Sequence, residues 1–187
     1  MYSSKNVSKF FMSQKSKVIS TGLVTPKTSD KYSKMIYLLP IPKDKITEFG
    51  FDISPAHAGN LINSIDFYVP KNTPVYAAAS GTVIEVMNNS RSKGNTIDYW
   101  DKGNFLEIMH KDNESTFYEH FRYMGIKVKV GQKVKARELI GFSGETGFTE
   151  NPHLHFQVNQ YLGKDDFVTV KARFSNFKDV YKIHHKQ

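Results

Sequence analysis

Cysteine is missing from this sequence. No disulfide can staple the fold and no thiolate can bind a metal, so any ion must be held by histidine and carboxylate side chains. Long apolar runs are missing as well. No stretch approaches the roughly 18 uninterrupted apolar residues of a membrane-spanning helix, and the chain is not expected to be an integral membrane protein. No positively charged start leads into a long apolar segment: "KFFM" is too short and "STGLVTPKT" too polar, so a cleavable export signal is not visible. Convincing helical periodicity is absent too. Tryptophan occurs once, against 14 Phe and 10 Tyr, and those bulky rings favour strands.

The 187 residues are 39% hydrophobic and 24% charged, which suits one soluble globular domain. The formal charge of +8 raises nucleic-acid binding as a possibility, but its distribution argues otherwise. Residues 1–34 hold seven lysines and one acid, leaving only +2 for the rest. With eight serines and little apolar periodicity, 1–34 is expected to be a basic flexible tail, 35–175 the folded domain and 176–187 a second tail carrying His184 and His185. No specific nucleic-acid partner is expected.

Short apolar pulses punctuated by Pro, Gly, Asn and Asp predict strands. They fall at "KMIYLLPIP" (34–42), "SIDFYVP" (64–70), "TPVYAAASGTVIEVM" (73–87, broken near Ser80-Gly81), "LIGFSG" and "FVTVKARF" (167–174). "NFLEIMH" and "STFYEHF" read as a hairpin around "KDNE". Residues 88–102 read as a long loop bordering a site. The glycines at 141, 144 and 147 are turn glycines; no Gly-Lys-Ser/Thr ending or following helix makes them a phosphate loop. The pattern predicts a mainly β, antiparallel sandwich or barrel-like fold with a groove.

In "NPHLHFQV" strand alternation puts His153 and His155 on one face and Leu154 on the other. Two imidazoles on one face make either a site or a half-exposed surface, and periodicity alone does not separate their roles. Asp66, flanked by apolar Ile65 and Phe67, needs a partner or a metal to offset its desolvation. By the same alternation Glu119 should point away from His120, whereas Tyr118 should share its face, most simply as a packed aromatic. His110 ends its strand, where it can hydrogen-bond a ligand or cap the hairpin.

Five ordered motifs, "IDFYVPKNTPVYAAASGTV", "GNFLEIMH", "FYEHF", "VKVGQKVKARELIGFSGETG" and "NPHLHF", resemble those of the lysostaphin and LytM-type zinc metallopeptidases. The resemblance runs from about residue 36 to about 174. It implies the LytM-like barrel-sandwich hybrid with a duplicated hybrid motif and a central groove. It also implies one Zn²⁺ per chain and hydrolysis of peptide bonds in peptidoglycan cross-bridges or stem peptides, hence an extracytoplasmic place of work. Residue by residue it makes His155 and Asp66 metal ligands, and His120 and His153 unligated catalytic imidazoles. The family's commonest first ligand stands four residues before the Asp, where this chain has Ile62. His57, nine residues before Asp66, takes that role. Two imidazoles and one carboxylate leave a fourth tetrahedral position open, as catalytic zinc sites do. The rival readings are a non-catalytic LytM-like binding or regulatory module, and a biotinyl or lipoyl carrier. The carrier lacks its Met-Lys-Met or Asp-Lys hairpin here and has no need of the histidines.

Overall fold

Alternating apolar and polar residues recur along the central segments, and each alternation becomes a strand with one face in the core. The computed structural model describes residues 30–51, 57, 59–163, 166–175 and 177. The strands are β1 (Tyr32–Tyr37), β2 (Glu48–Gly50), β3 (Ile65–Tyr68), β4 (Pro74–Tyr76), β5 (Gly81–Met87), β6 (Lys93–Gly94), β7 (Asn104–Met109), β8 (Glu114–Phe121), β9 (Lys133–Val134), β10 (Leu139–Phe142), β11 (Gly147–Phe148), β12 (His153–Tyr161) and β13 (Phe167–Phe174). The fold is mainly β, as expected. Helical structure among the described residues is limited to short 3₁₀ turns, at His57 and over Lys43–Lys45, Gly59–Leu61 and Ile97–Tyr99. None is long or apolar enough to cross a membrane.

Nine strands form one curled sheet in the order β1-β13-β12-β8-β7-β5-β9, with β3 joined to β12 and β2 to β3. Two ribbons, β10-β4 and β11-β6, stand off it. Most pairings are antiparallel, but β1 runs parallel to β13. Glu114 anchors this edge strand: its buried carboxylate accepts hydrogen bonds from the backbone N–H groups of Lys34 and Met35 and from the Tyr37 hydroxyl. The two stretches expected to be tails lie largely outside the described residues, including His184 and His185. Tyr32 already belongs to β1.

One face of the sheet makes the main core. Leu154, Phe156 and Val158 of β12 pack with Leu106 and Ile108 of β7, Tyr118 of β8, and Ile65 and Phe67 of β3. Each such burial contributes roughly 1.5–3 kcal/mol. Tyr118 is a packed aromatic, its hydroxyl accepting from the Ala78 amide and the Thr116 hydroxyl. His110 lies apart from the other strand histidines, bonded through Nδ1 to the Ser80 carbonyl and through Nε2 to the Thr116 hydroxyl.

The other face of the central strands is also buried, and it is polar. Gln157, Asn159, Glu107, Ser115 and Thr169 are each 1% exposed or less. Two segments cover it. The 59–64 stretch brings Leu61, and the 97–100 turn brings Trp100, into a small cluster with Tyr161 and Phe167. This covered polar face carries the site.

Candidate metal centre

Asp66 is the middle of the constellation because β3 lies between β2 and β12, opposite His155 in register. Its Oδ1 is 3.1 Å from His57 Nε2 and 3.0 Å from His155 Nδ1, and its Oδ2 is 3.6 Å from His153 Nε2. The donor atoms of His57, Asp66 and His155 all lie within 4.8 Å of one another. His153 and His155 share the face that strand alternation assigned them.

His57 reaches this point despite the nine-residue spacing because the intervening chain is folded against β13. Asn60 Nδ2 donates to the Phe167 carbonyl, while the Asn63 amide and Nδ2 donate to the Thr169 hydroxyl and carbonyl. Leu61 is buried beneath the turn, and Ser64 Oγ donates to Gln157 Oε1 on β12. The insertion is thereby taken up as a strap across the sheet, and His57 emerges at its start. Ile62 lies within the strap.

His120 is aimed by a β-bulge. On β7 and β8, Asn104 pairs with Phe121 and Phe105 with Glu119, so His120 is the extra residue, and its φ is +69°. Bulges re-aim side chains in this way. Glu119 lies directly across from His155 in the β8–β12 register, so it shares the His155 face. This corrects the expectation that alternation would turn Glu119 away from His120: one residue in the left-handed region breaks the period of two. Burial lifts the Glu119 carboxyl to about 7, with His155 opposing the rise and Asp66 adding to it.

The two remaining imidazoles are oriented alike. His120 Nδ1–H donates to the Thr146 carbonyl at 2.7 Å, and His153 Nδ1–H donates to the Asn151 carbonyl at 2.8 Å. Each therefore turns an unprotonated Nε2 toward the groove. Their rings stand 4.4 Å apart at 71°. Burial holds the His120 pKa well below the ordinary range, and the charges of His153 and His155 add to this. Burial also lowers His153, against the pull of Asp66. Asp66 is held well below the usual carboxylate range: burial favours its acid form, but its interactions with His153, His155 and His57 outweigh it. His155 is raised, because the hydrogen bond and charge of Asp66 overcome its burial.

The residues fit a zinc ion. His57 is 2% exposed, yet its Nε2 meets Asp66 Oδ1 at 3.1 Å without hydrogen-bond geometry and its Nδ1 has no hydrogen-bond partner, an expensive state for a buried imidazole unless a ligand completes it. A set of two imidazoles and one carboxylate is a tetrahedral zinc donor set with one position to spare.

Beyond these residues the groove is lined by Tyr68, Phe148, Thr149, Glu150 and Asn151. Tyr68 sits across from His153, their ring centroids 5.4 Å apart. Its place two residues after Asp66 on one strand was a readable signal. The roles of the Thr146 and Asn151 carbonyls leave no mark in a side-chain pattern. None of residues 88–102, expected to border the site, lines the groove. They support its wall from behind: β6 pairs with β11, and Trp100 stacks on Phe148 at 6.1 Å.

A curled β-sheet with a histidine-aspartate centre on its covered face is the architecture of a metallopeptidase family. The model of Peptidase family M23 matches residues 60–168, more than half the chain, and the protein belongs to that family. The match begins after His57. Peptidoglycan DD-endopeptidase ShyA of Vibrio cholerae is 36% identical over 96 residues, covering 51% of this chain and 20% of that protein. Lysostaphin of Staphylococcus simulans is 35% identical over 105 residues, covering 55% of this chain and 19% of its own length. The chain thus spans about a fifth of the length of these curated relatives. A crystal structure of a zinc-containing peptidase from Vibrio cholerae aligns with a TM-score of 0.50 at 29% identity, over 73% of this chain and 40% of that one.

Proposed function

We propose that this protein is a zinc-dependent endopeptidase that hydrolyses peptide bonds in the cross-bridges or stem peptides of peptidoglycan, working outside the cytoplasm where that polymer lies. His57, Asp66 and His155 hold one zinc ion, and His120 and His153 are the catalytic imidazoles. The observation that carries the reading is the convergence of three ligand atoms beside two imidazoles whose Nδ1 atoms are tied to backbone carbonyls. Membership of family M23 and a relative named as a peptidoglycan endopeptidase support the substrate class.

Bound zinc supplies Lewis acidity, which makes water nucleophilic near neutral pH and polarises a carbonyl. The protein supplies the rest. A bare Nε2 on His153 or His120 accepts the proton of the attacking water. The resulting N–H donates to the developing oxyanion or passes its proton to the leaving amine nitrogen. The Asn151 and Thr146 carbonyls hold the two rings so that no reorientation is needed during the transfer. Tyr68, beside His153, packs the groove wall against which a peptide lies.

The test is zinc stoichiometry after dialysis, paired with amine release from wall peptides. His57→Ala, Asp66→Ala and His155→Ala should lose both. If these variants keep one zinc per chain, the ligand assignment is wrong. If they lose zinc and wall peptides are still cut, the reaction belongs to another site.

A further inference from the structure

Beneath the metal centre a chain of buried polar side chains runs along β12 with a single direction. His155 Nε2 lies 3.1 Å from Gln157 Oε1, Gln157 Nε2 donates to Asn159 Oδ1 at 2.6 Å, and Asn159 Nδ2 donates to Glu107 Oε1 at 3.1 Å. The chain ends at Glu107 Oε1, which also accepts from the Ser115 and Tyr161 hydroxyls. Gln157, Asn159, Ser115 and Glu107 are all buried. A side-chain amide has one accepting end and one donating end. With its NH₂ committed to Asn159, Gln157 can present only its oxygen to His155.

We infer that Gln157 is the positioning residue of the metal centre: through this directional ladder it keeps a proton on His155 Nε2, so that Nδ1, 3.0 Å from Asp66 Oδ1, is the nitrogen that gives up its proton to a metal. The same Oε1 accepts from Ser64 Oγ at 3.2 Å, and Ser64 lies at the end of the strap that begins at His57. One oxygen therefore fixes the tautomer of one proposed ligand and tethers the segment that delivers another. Ligating histidines elsewhere commonly have their second nitrogen fixed in this way, and losing that partner typically weakens metal binding 10- to 100-fold. The inference rests on the zinc-centre reading, but the tautomer can be read without metal.

The experiment has two arms. In metal-free parent protein at neutral pH, long-range ¹H–¹⁵N NMR of the imidazoles should show a proton on His155 Nε2, whatever Nδ1 carries toward Asp66. Gln157→Leu should lose it, leaving the ring protonated at Nδ1 alone. By chelator competition, Gln157→Leu should bind zinc 10- to 100-fold more weakly than the parent. Gln157→Glu keeps an acceptor toward His155 but loses the donor to Asn159 Oδ1, so it should recover part of the affinity lost in Gln157→Leu, which a packing defect would not do. A parent in which His155 Nε2 carries no proton overturns the inference, as does unchanged zinc affinity in a folded Gln157→Leu. A parent that shows the Nε2 proton yet takes up no zinc leaves the ladder standing and contradicts the metal centre instead.

Discussion

His153 and His155 are two residues apart and share a face, but their nitrogens face different partners. Nδ1 of His155 points at Asp66, whereas Nδ1 of His153 is tied to a backbone carbonyl and its Nε2 faces the groove. Substitutions should separate them. His155→Ala is expected to abolish tight zinc binding and hydrolysis together, while His153→Ala should retain zinc and lose about 10²- to 10⁴-fold in turnover, the contribution of a positioned acid or base. His120→Ala should behave like His153→Ala. A metal-free His153→Ala would mean that β12 supplies two ligands. Replacing Ile62 by Ala should leave metal content intact, since the strap carries the chain past that position. The geometry around Asp66 was legible at this scale because a carboxylate set between two core residues must be paired or metal-bound to offset its desolvation. Strand periodicity alone could not divide roles between the two β12 histidines, because it fixes a face and says nothing of which nitrogen carries the proton.

Strand positions were readable from alternation and turn residues: "FVTVKARF" is β13, and the hairpin around "KDNE" is β7–β8. The short strands β2, β6, β9 and β11 are not legible in the same way. Two or three residues carry too little periodicity, and long-range pairing defines them. The bulge at His120 is hidden for a related reason. A left-handed histidine is uncommon and leaves no compositional signature, so alternation puts Glu119 on the wrong face. The neighbouring Gly147 makes the same region testable. It has φ +88°, and a Cβ there would meet Gly103 Cα at 2.6 Å, whereas Gly131 has φ +84° with open space around it. Gly131→Ala should therefore cost about 1–2 kcal/mol for its backbone conformation alone. Gly147→Ala should cost distinctly more and lower turnover as well, because the Thr146 carbonyl that holds His120 is adjacent. Equal losses in thermal unfolding would show that the Gly103–Gly147 approach is not tight.

Across the whole molecule, both faces of the central sheet are buried, one apolar and one polar. An alternating sequence usually signals one solvated face, so the covered polar face was the largest feature that composition did not foretell. Its satisfaction depends on side-chain pairs separated by dozens of residues, such as Glu107 with Asn159. Burial raises the Glu107 carboxyl above its ordinary 4.5, against hydrogen bonds from Ser115, Asn159 and Tyr161. An acid raised in the folded state binds its proton more readily there than in the unfolded chain. Its contribution to stability is therefore full below 4.5 and declines as pH rises toward the elevated folded value. Glu107→Gln keeps an acceptor oxygen and removes the titration. The variant should thus gain stability relative to the parent as pH climbs above 4.5, measured by denaturant unfolding across that range. A pH-independent difference would mean that Glu107 is not raised.

The central claim is that this fold and centre form a working zinc endopeptidase rather than a binding module of the same shape. The most direct measurement is release of new amino groups from purified peptidoglycan by the protein as isolated, after chelation, and after zinc is restored. The account predicts release, loss on chelation and recovery with about one zinc per chain. A protein that holds one zinc per chain and releases no amines would contradict it.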